Sequence, residues 1–258
     1  MSASTPTRPS PERAPGRAAA QAPPVGEGRR RSPLWLLDLY RSALGKKYAM
    51  AISGIVLMAY VLLHMIGNLK LYLGPEAMNH YGEWLREFGT PALPNTGFLW
   101  IMRVVLLTAV IVHIHAAYAL TVMNRRARPQ RYLSKRDYVA ATFAARTMRW
   151  TGVIVLLFVV YHLLDFTIGT VNPDFTEGMP YQNAVASFSN PVVAIFYVIA
   201  NLALGTHLYH GAWSLFQSMG WNRRGFNHWR RYFAVAFAVA VAGANVTFPL
   251  SVVFGIIG

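Results

Sequence analysis

Residues 49–69 read Ala-Met-Ala-Ile-Ser-Gly-Ile-Val-Leu-Met-Ala-Tyr-Val-Leu-Leu-His-Met-Ile-Gly-Asn-Leu. A bilayer is crossed by about 20 consecutive apolar residues in helical form, and this stretch has that length. Four more stretches of the same kind follow, at about 98–123, 148–171, 192–219 and 232–257. Gly and Ala recur within them, as close helix contact in lipid requires. Pro91, Pro94, Pro129, Pro173, Pro180 and Pro191 fall between them, where helix breakers belong. The expected fold is therefore an all-α membrane protein, a bundle of five transmembrane helices.

Composition agrees. The chain is 54% hydrophobic and only 13% charged, against roughly 25% charged in a soluble domain. With no cysteine, the chain forms no disulfide framework and no thiolate metal site of its own. The net charge of +14 invites a nucleic-acid reading, which we reject. The basic residues lie in short clusters between apolar stretches rather than on one soluble face.

Those clusters set an expected orientation. Of 24 Lys and Arg, nine precede the first stretch (Arg8 to Lys47), eight lie between the second and third (Arg125 to Arg149), and four lie between the fourth and fifth (Arg223, Arg224, Arg230, Arg231). Only Lys70, Arg86 and Arg103 fall on the other side. Basic residues stay in the cytoplasm, so the N-terminus is expected inside and the C-terminus outside.

Residues 1–31 are rich in Pro, Ala, Ser and Arg and offer too little apolar surface to offset the entropy of ordering. We expect a disordered tail there. We expect no cleaved leader, because the apolar run after Arg29-Arg30-Arg31 starts only near Ala49, is too long for a signal core and lacks a small-residue cleavage site. Residues 32–47 place Trp35, Leu36, Leu39 and Tyr40 at helical spacing, which suits either an interfacial segment or a solvated linker helix. Residues 48–258 form the transmembrane domain in this reading.

Six of the eight histidines fall inside the apolar stretches: His64, His113, His115, His162, His207 and His210. Ionisable groups are rare in such places and usually functional. At 1.5 Å rise per residue, His64 and His162 lie roughly 8 and 9 Å from the outer face, while His113 and His207 both lie roughly 22 Å from it. Each level thus has two histidines from different helices, and the levels are roughly 14 Å apart. Imidazole is a standard axial ligand of haem iron. Two per iron leave no open position, which suits electron transfer. At the inner level His113 and His115 point to nearly opposite faces, since two helical steps turn about 200°, while His207 and His210 share a face. Ala117 and Gly211, four residues after His113 and His207, give those two small neighbours for a porphyrin edge, but Ala119 and Ser214 stand at the same spacing after His115 and His210, so the preference is slight. His115 and His210 stay open as alternative ligands. A zinc site built from these four inner histidines also stays open. A proton relay would need carboxylates in mid-membrane, whereas Asp165 lies near one end of the third stretch.

Several segments resemble one known family. They are Ser42-Ala-Leu-Gly-Lys-Lys47 with Met50-Ala-Ile-Ser-Gly54; His64-Met-Ile-Gly-Asn68; His113 through Asn124-Arg-Arg-Ala-Arg-Pro129; Arg146-Thr-Met148 with Tyr161-His162; and His207-Leu-Tyr-His-Gly211 through Ser214-Leu-Phe-Gln-Ser-Met-Gly220. Together they resemble the cytochrome b membrane subunit of succinate dehydrogenases and fumarate reductases, of the b558 type with a single five-helix anchor. The resemblance implies two b haems, the distal one on His64 and His162 and the proximal one on His113 and His207. It implies a flavoprotein and an iron–sulfur subunit docked on the cytoplasmic face. It also implies a multi-pass protein of the cell inner (plasma) membrane that exchanges electrons with menaquinone or another quinone and has no catalytic activity alone. It allows a carboxylate in the first outer loop to handle quinone protons, for which Glu83 and Glu87 are the candidates. Three other readings stand beside it: the cytochrome b anchor of a formate dehydrogenase or hydrogenase, an anchor whose histidines share a Rieske-type cluster with a partner's cysteines, and a haem-free anchor or transporter.

Overall fold

The computed structural model describes residues 35–127, 139–221, 225 and 227–258. The tail expected at residues 1–31 lies outside them, as does much of the basic stretch between the second and third spans. The described chain is helical, with no strand among the described residues. The helices are α1 (Trp35–Arg41), α2 (Ala43–Asn68), α3 (Pro75–Glu87), α4 (Gly97–Arg126), α5 (Val139–Leu163), α6 (Pro180–Phe188), α7 (Pro191–Ser218) and α8 (Asn227–Val253). Five segments are long and apolar enough to cross a membrane: Ala43–Leu73, Gly97–Arg126, Thr147–Ile168, Pro191–Ser218 and His228–Val253. They answer one for one to the five stretches read from sequence.

Local chemistry sets the helix boundaries. The Ser42 hydroxyl accepts the Gly45 N–H at 2.9 Å and opens α2, satisfying a donor that would otherwise lack a partner at the helix start. Helix α2 therefore begins at Ala43, within residues 32–47, and among the described residues α1 precedes it. Asn190 opens α7 by accepting the Val192 N–H at 3.0 Å, with Pro191 in the first turn. The third span ends in a π-helical turn, Leu164–Ile168, closed by Gly169 at φ +83°, a conformation that favours glycine.

Inside lipid every backbone group must be paired within the helix, and the outward faces need no polar atoms. Leu63, Leu107, Leu157, Ile199 and Val239, one on each span, are exposed accordingly. Between helices the contacts are small. A Cβ added at Gly205 would lie 2.7 Å from the Ala242 Cβ, so α7 and α8 meet there at a distance only glycine permits. Val241, Ala238, Leu204, Leu208 and Met65 pack into one core from α8, α7 and α2.

We call the end where α2 and α5 begin the lower end, and the end where they finish the upper end. Helices α3 and α6 cap the upper end and interlock. Asn79 of α3 donates to the Gln182 side chain at 2.9 Å and accepts the Tyr181 N–H at 3.2 Å.

Candidate functional site

The four histidines singled out by depth meet as two facing pairs. The His64 and His162 rings, from α2 and α5, have centroids 5.8 Å apart. Those of His113 and His207, from α4 and α7, lie 6.4 Å apart. Both pairs are edge-on rather than stacked. Two metal–imidazole bonds of roughly 2 Å each fit between rings at these separations.

The lower pair is built twice over by the same device. Ser53 of α2 donates its hydroxyl to the Ala49 carbonyl at 2.7 Å, and its oxygen lies 3.2 Å from His113 Nδ1. Thr151 of α5 donates to the Thr147 carbonyl at 2.7 Å, and its oxygen lies 3.3 Å from His207 Nδ1. A hydroxyl has one proton to give. In each case the closer partner is the carbonyl, so toward the imidazole the oxygen accepts. The proton then sits on Nδ1, and Nε2 keeps its lone pair, which is the form a metal ligand needs. The residue next to each hydroxyl is a glycine. A Cβ on Gly54 would lie 3.4 Å from His113 Cε1, and one on Gly152 would lie 3.4 Å from His207 Cε1. Each glycine thus leaves its helix flat where a histidine ring from the facing helix sits.

The upper pair differs. Tyr197 of α7 donates its hydroxyl to Asp165 Oδ2 at 2.7 Å, and its oxygen lies 3.5 Å from His162 Nδ1. Ser187 of α6 donates to the same Oδ2 at 2.7 Å. Asp165 is only 1% exposed and forms no ion pair among the described residues. The proton argument again leaves Nε2 of His162 free. The His64 ring stacks on Tyr60, with centroids 5.4 Å apart and planes at 15°.

The alternatives to these four lie elsewhere. The exposed ring of His115 stacks on Tyr40 of α1, whose hydroxyl hydrogen-bonds its Nδ1, so it turns away from His113 as helical geometry requires. His210 packs against Tyr209, and its Nδ1 is buried with no hydrogen-bond partner among the described residues. No three His, Cys, Asp or Glu side chains converge as a metal-binding group among the described residues, so the four inner histidines do not gather into a zinc-type cluster. Glu83 and Glu87 lie exposed on α3. Glu83 faces His80 at 3.9 Å and lines an open depression with Leu73, Glu76, Ala77, Asn79 and His80.

The residues that hold the rings went unread in the sequence, although a signal was there. Ser53-Gly54 precedes His64 at the same interval as Thr151-Gly152 precedes His162, ten positions from glycine to histidine. This small repeat marks α2 and α5 as equivalent. Because Gly54 and Gly152 sit at the lower level, ten residues at 1.5 Å each separate the two levels by about 15 Å along both helices. Tyr197 and Asp165 gave no comparable pattern.

Taken together, the five apolar spans, with histidines facing one another across helices at two levels, define a multi-pass α-helical membrane protein. The family model described as succinate dehydrogenase/fumarate reductase transmembrane subunit matches residues 121–247, from the end of α4 into α8. That match supports placing the chain with the succinate dehydrogenase and fumarate reductase transmembrane subunits. The matched stretch contains His162 and His207 and stops short of His64 and His113. No curated protein and no solved structure matches the chain.

Proposed function

We propose that the chain is the cytochrome b anchor of a succinate:quinone oxidoreductase, holding two b haems, one between His64 and His162 and one between His113 and His207. The observation that carries this reading is the geometry of two facing histidine pairs, with the Nδ1 atoms of His113, His162 and His207 turned to hydroxyl oxygens. Haem, when bound, supplies one-electron exchange at an iron with no open position. The chain's own residues do the rest. Ser53, Thr151 and Tyr197 fix the tautomer and orientation of three of the four imidazoles. Gly54 and Gly152 keep the facing helices flat beside the lower rings. The apolar spans exclude water, and α3 with α6 closes the upper end.

The charge distribution supports placing the lower end in the cytoplasm and the C-terminus outside, in the inner (plasma) membrane. A flavoprotein and an iron–sulfur subunit would then dock at the lower end and carry the dicarboxylate chemistry, with menaquinone or another quinone as the membrane-soluble partner. Glu83, exposed beside the depression on α3, supports a quinone-proton role better than Glu87 does.

The test is the purified complex. Co-purification of both soluble subunits and a reduced-minus-oxidised spectrum with two b-type haems per chain is the expected result. A chain that purifies with those subunits and no haem would overturn the haem reading. One that purifies with a different dehydrogenase would overturn the assignment.

A further inference from the structure

The two levels hold their histidines by different chemistry. At the lower level each Nδ1 meets a neutral hydroxyl whose own proton goes to a backbone carbonyl. At the upper level the hydroxyl beside His162 gives its proton to a carboxylate. That carboxylate is Asp165, 1% exposed, with both of its hydroxyl donors on one oxygen and no cation paired with it among the described residues. Burying a charge without a counter-charge is costly, and Tyr197 and Ser187 offset only part of that cost. Three elements converge to make the arrangement. Asp165 sits on the π-helical turn that ends the third span, Tyr197 on α7 and Ser187 on α6. A ring of aromatics, Phe158, Phe166, Phe188 and Phe196, packs around Tyr197 and keeps the local dielectric low, so the charge is weakly screened.

We infer that Asp165 and Tyr197 are positioning residues for His162 that make the upper haem harder to reduce than it would otherwise be, while the lower haem has no such charged partner among the described residues. An oxygen that donates to a carboxylate becomes a stronger acceptor through hydrogen-bond polarisation. The Nδ1–H of His162 is then pulled harder, and a carboxylate or hydroxyl behind a ligating histidine raises the basicity of the ligand. A more basic imidazole and a nearby buried negative charge both favour the oxidised iron. The difference is built into the upper level alone, so the two haems are set apart by the protein rather than by their ligand type, which is the same. This inference rests on the two-haem reading above.

The experiment is a spectroelectrochemical titration of both haems in the intact complex. The spectrum of each is assigned first from the His162→Ala and His207→Ala variants. Asp165→Asn keeps the shape and removes the charge. It should ease reduction of the upper haem by at least tenfold, an upward shift of about 59 mV for a one-electron couple, and leave the lower haem unmoved. Tyr197→Phe breaks the link and leaves the carboxylate in place. It should shift the same haem in the same direction, and it decides the matter if Asp165→Asn does not assemble. Ser187→Ala loosens the cluster without touching charge or link and should not raise the potential. An unmoved upper haem in Tyr197→Phe, or an equal rise in Ser187→Ala, overturns the inference and leaves the two-haem reading intact. A wild-type complex without haem overturns both.

Discussion

At the scale of single residues, the site depends on what is missing as much as on what is present. Gly54 and Gly152 each face a histidine ring at a distance that a single Cβ would just fill. Replacement by alanine is therefore expected to be tolerated. Gly54→Leu or Gly152→Leu drives several more carbons into the ring's place, and overpacking of this kind costs about 1–3 kcal/mol or displaces the neighbour. Each leucine variant should lose the lower haem and keep the upper one, seen as roughly half the b-type absorbance. Retention of both haems at full occupancy would show that the glycines are only helix contacts. By the same measurement, His162→Ala and His207→Ala should each remove one haem, and a different one, whereas His115→Ala and His210→Ala should leave both. Loss of a haem in either of the last two would move the ligand assignment.

At the scale of elements, the upper cap and the span orientation are the parts to test. Asn79 ties α3 to the first turn of α6 through one side-chain bond and one backbone N–H. Asn79→Ala removes both, and each such bond contributes about 1 kcal/mol net. A lowered melting temperature of the purified complex is expected. No change would mean that solvent replaces Asn79 without loss. For orientation, Ser189 is exposed at the end of α6 and Ala127 is exposed just past α4. Cysteines placed there, in a chain with none of its own, should react with a membrane-impermeant reagent from opposite sides, Ser189→Cys from outside. Labelling of both from one side would contradict the cytoplasmic lower end.

At the scale of the whole molecule, the proposed reading makes the chain a scaffold that serves partner subunits. Its two histidine levels lie about 15 Å apart along α2 and α5, one toward the end with the basic clusters and one toward the end capped by α3 and α6. A deletion strain is expected to lose succinate-driven quinone reduction in its membranes while its soluble fraction still oxidises succinate with an artificial dye. Normal quinone reduction without this chain, in a cell with no second such enzyme, would sink the assignment.

The sequence by itself determined the number of spans, because crossing lipid imposes a length and an apolar composition that nothing else in a 258-residue chain would satisfy five times. It also singled out His64, His113, His162 and His207 by depth, because helical rise is a fixed quantity. It could not choose among His113, His115, His207 and His210 beyond a turn-angle argument. The facing of rings from separate helices depends on how α2, α4, α5 and α7 rotate about their axes, and that is a property of packing. The partners of those rings were hidden for the same reason. Ser53 lies 60 residues from His113 and Thr151 lies 56 from His207, so no local pattern links them. Asp165 reads in sequence as a charge at the edge of a span. Only the tertiary structure turns it inward, onto Tyr197 and Ser187 and behind His162, because the π-helical turn and α6 close over it at the upper end.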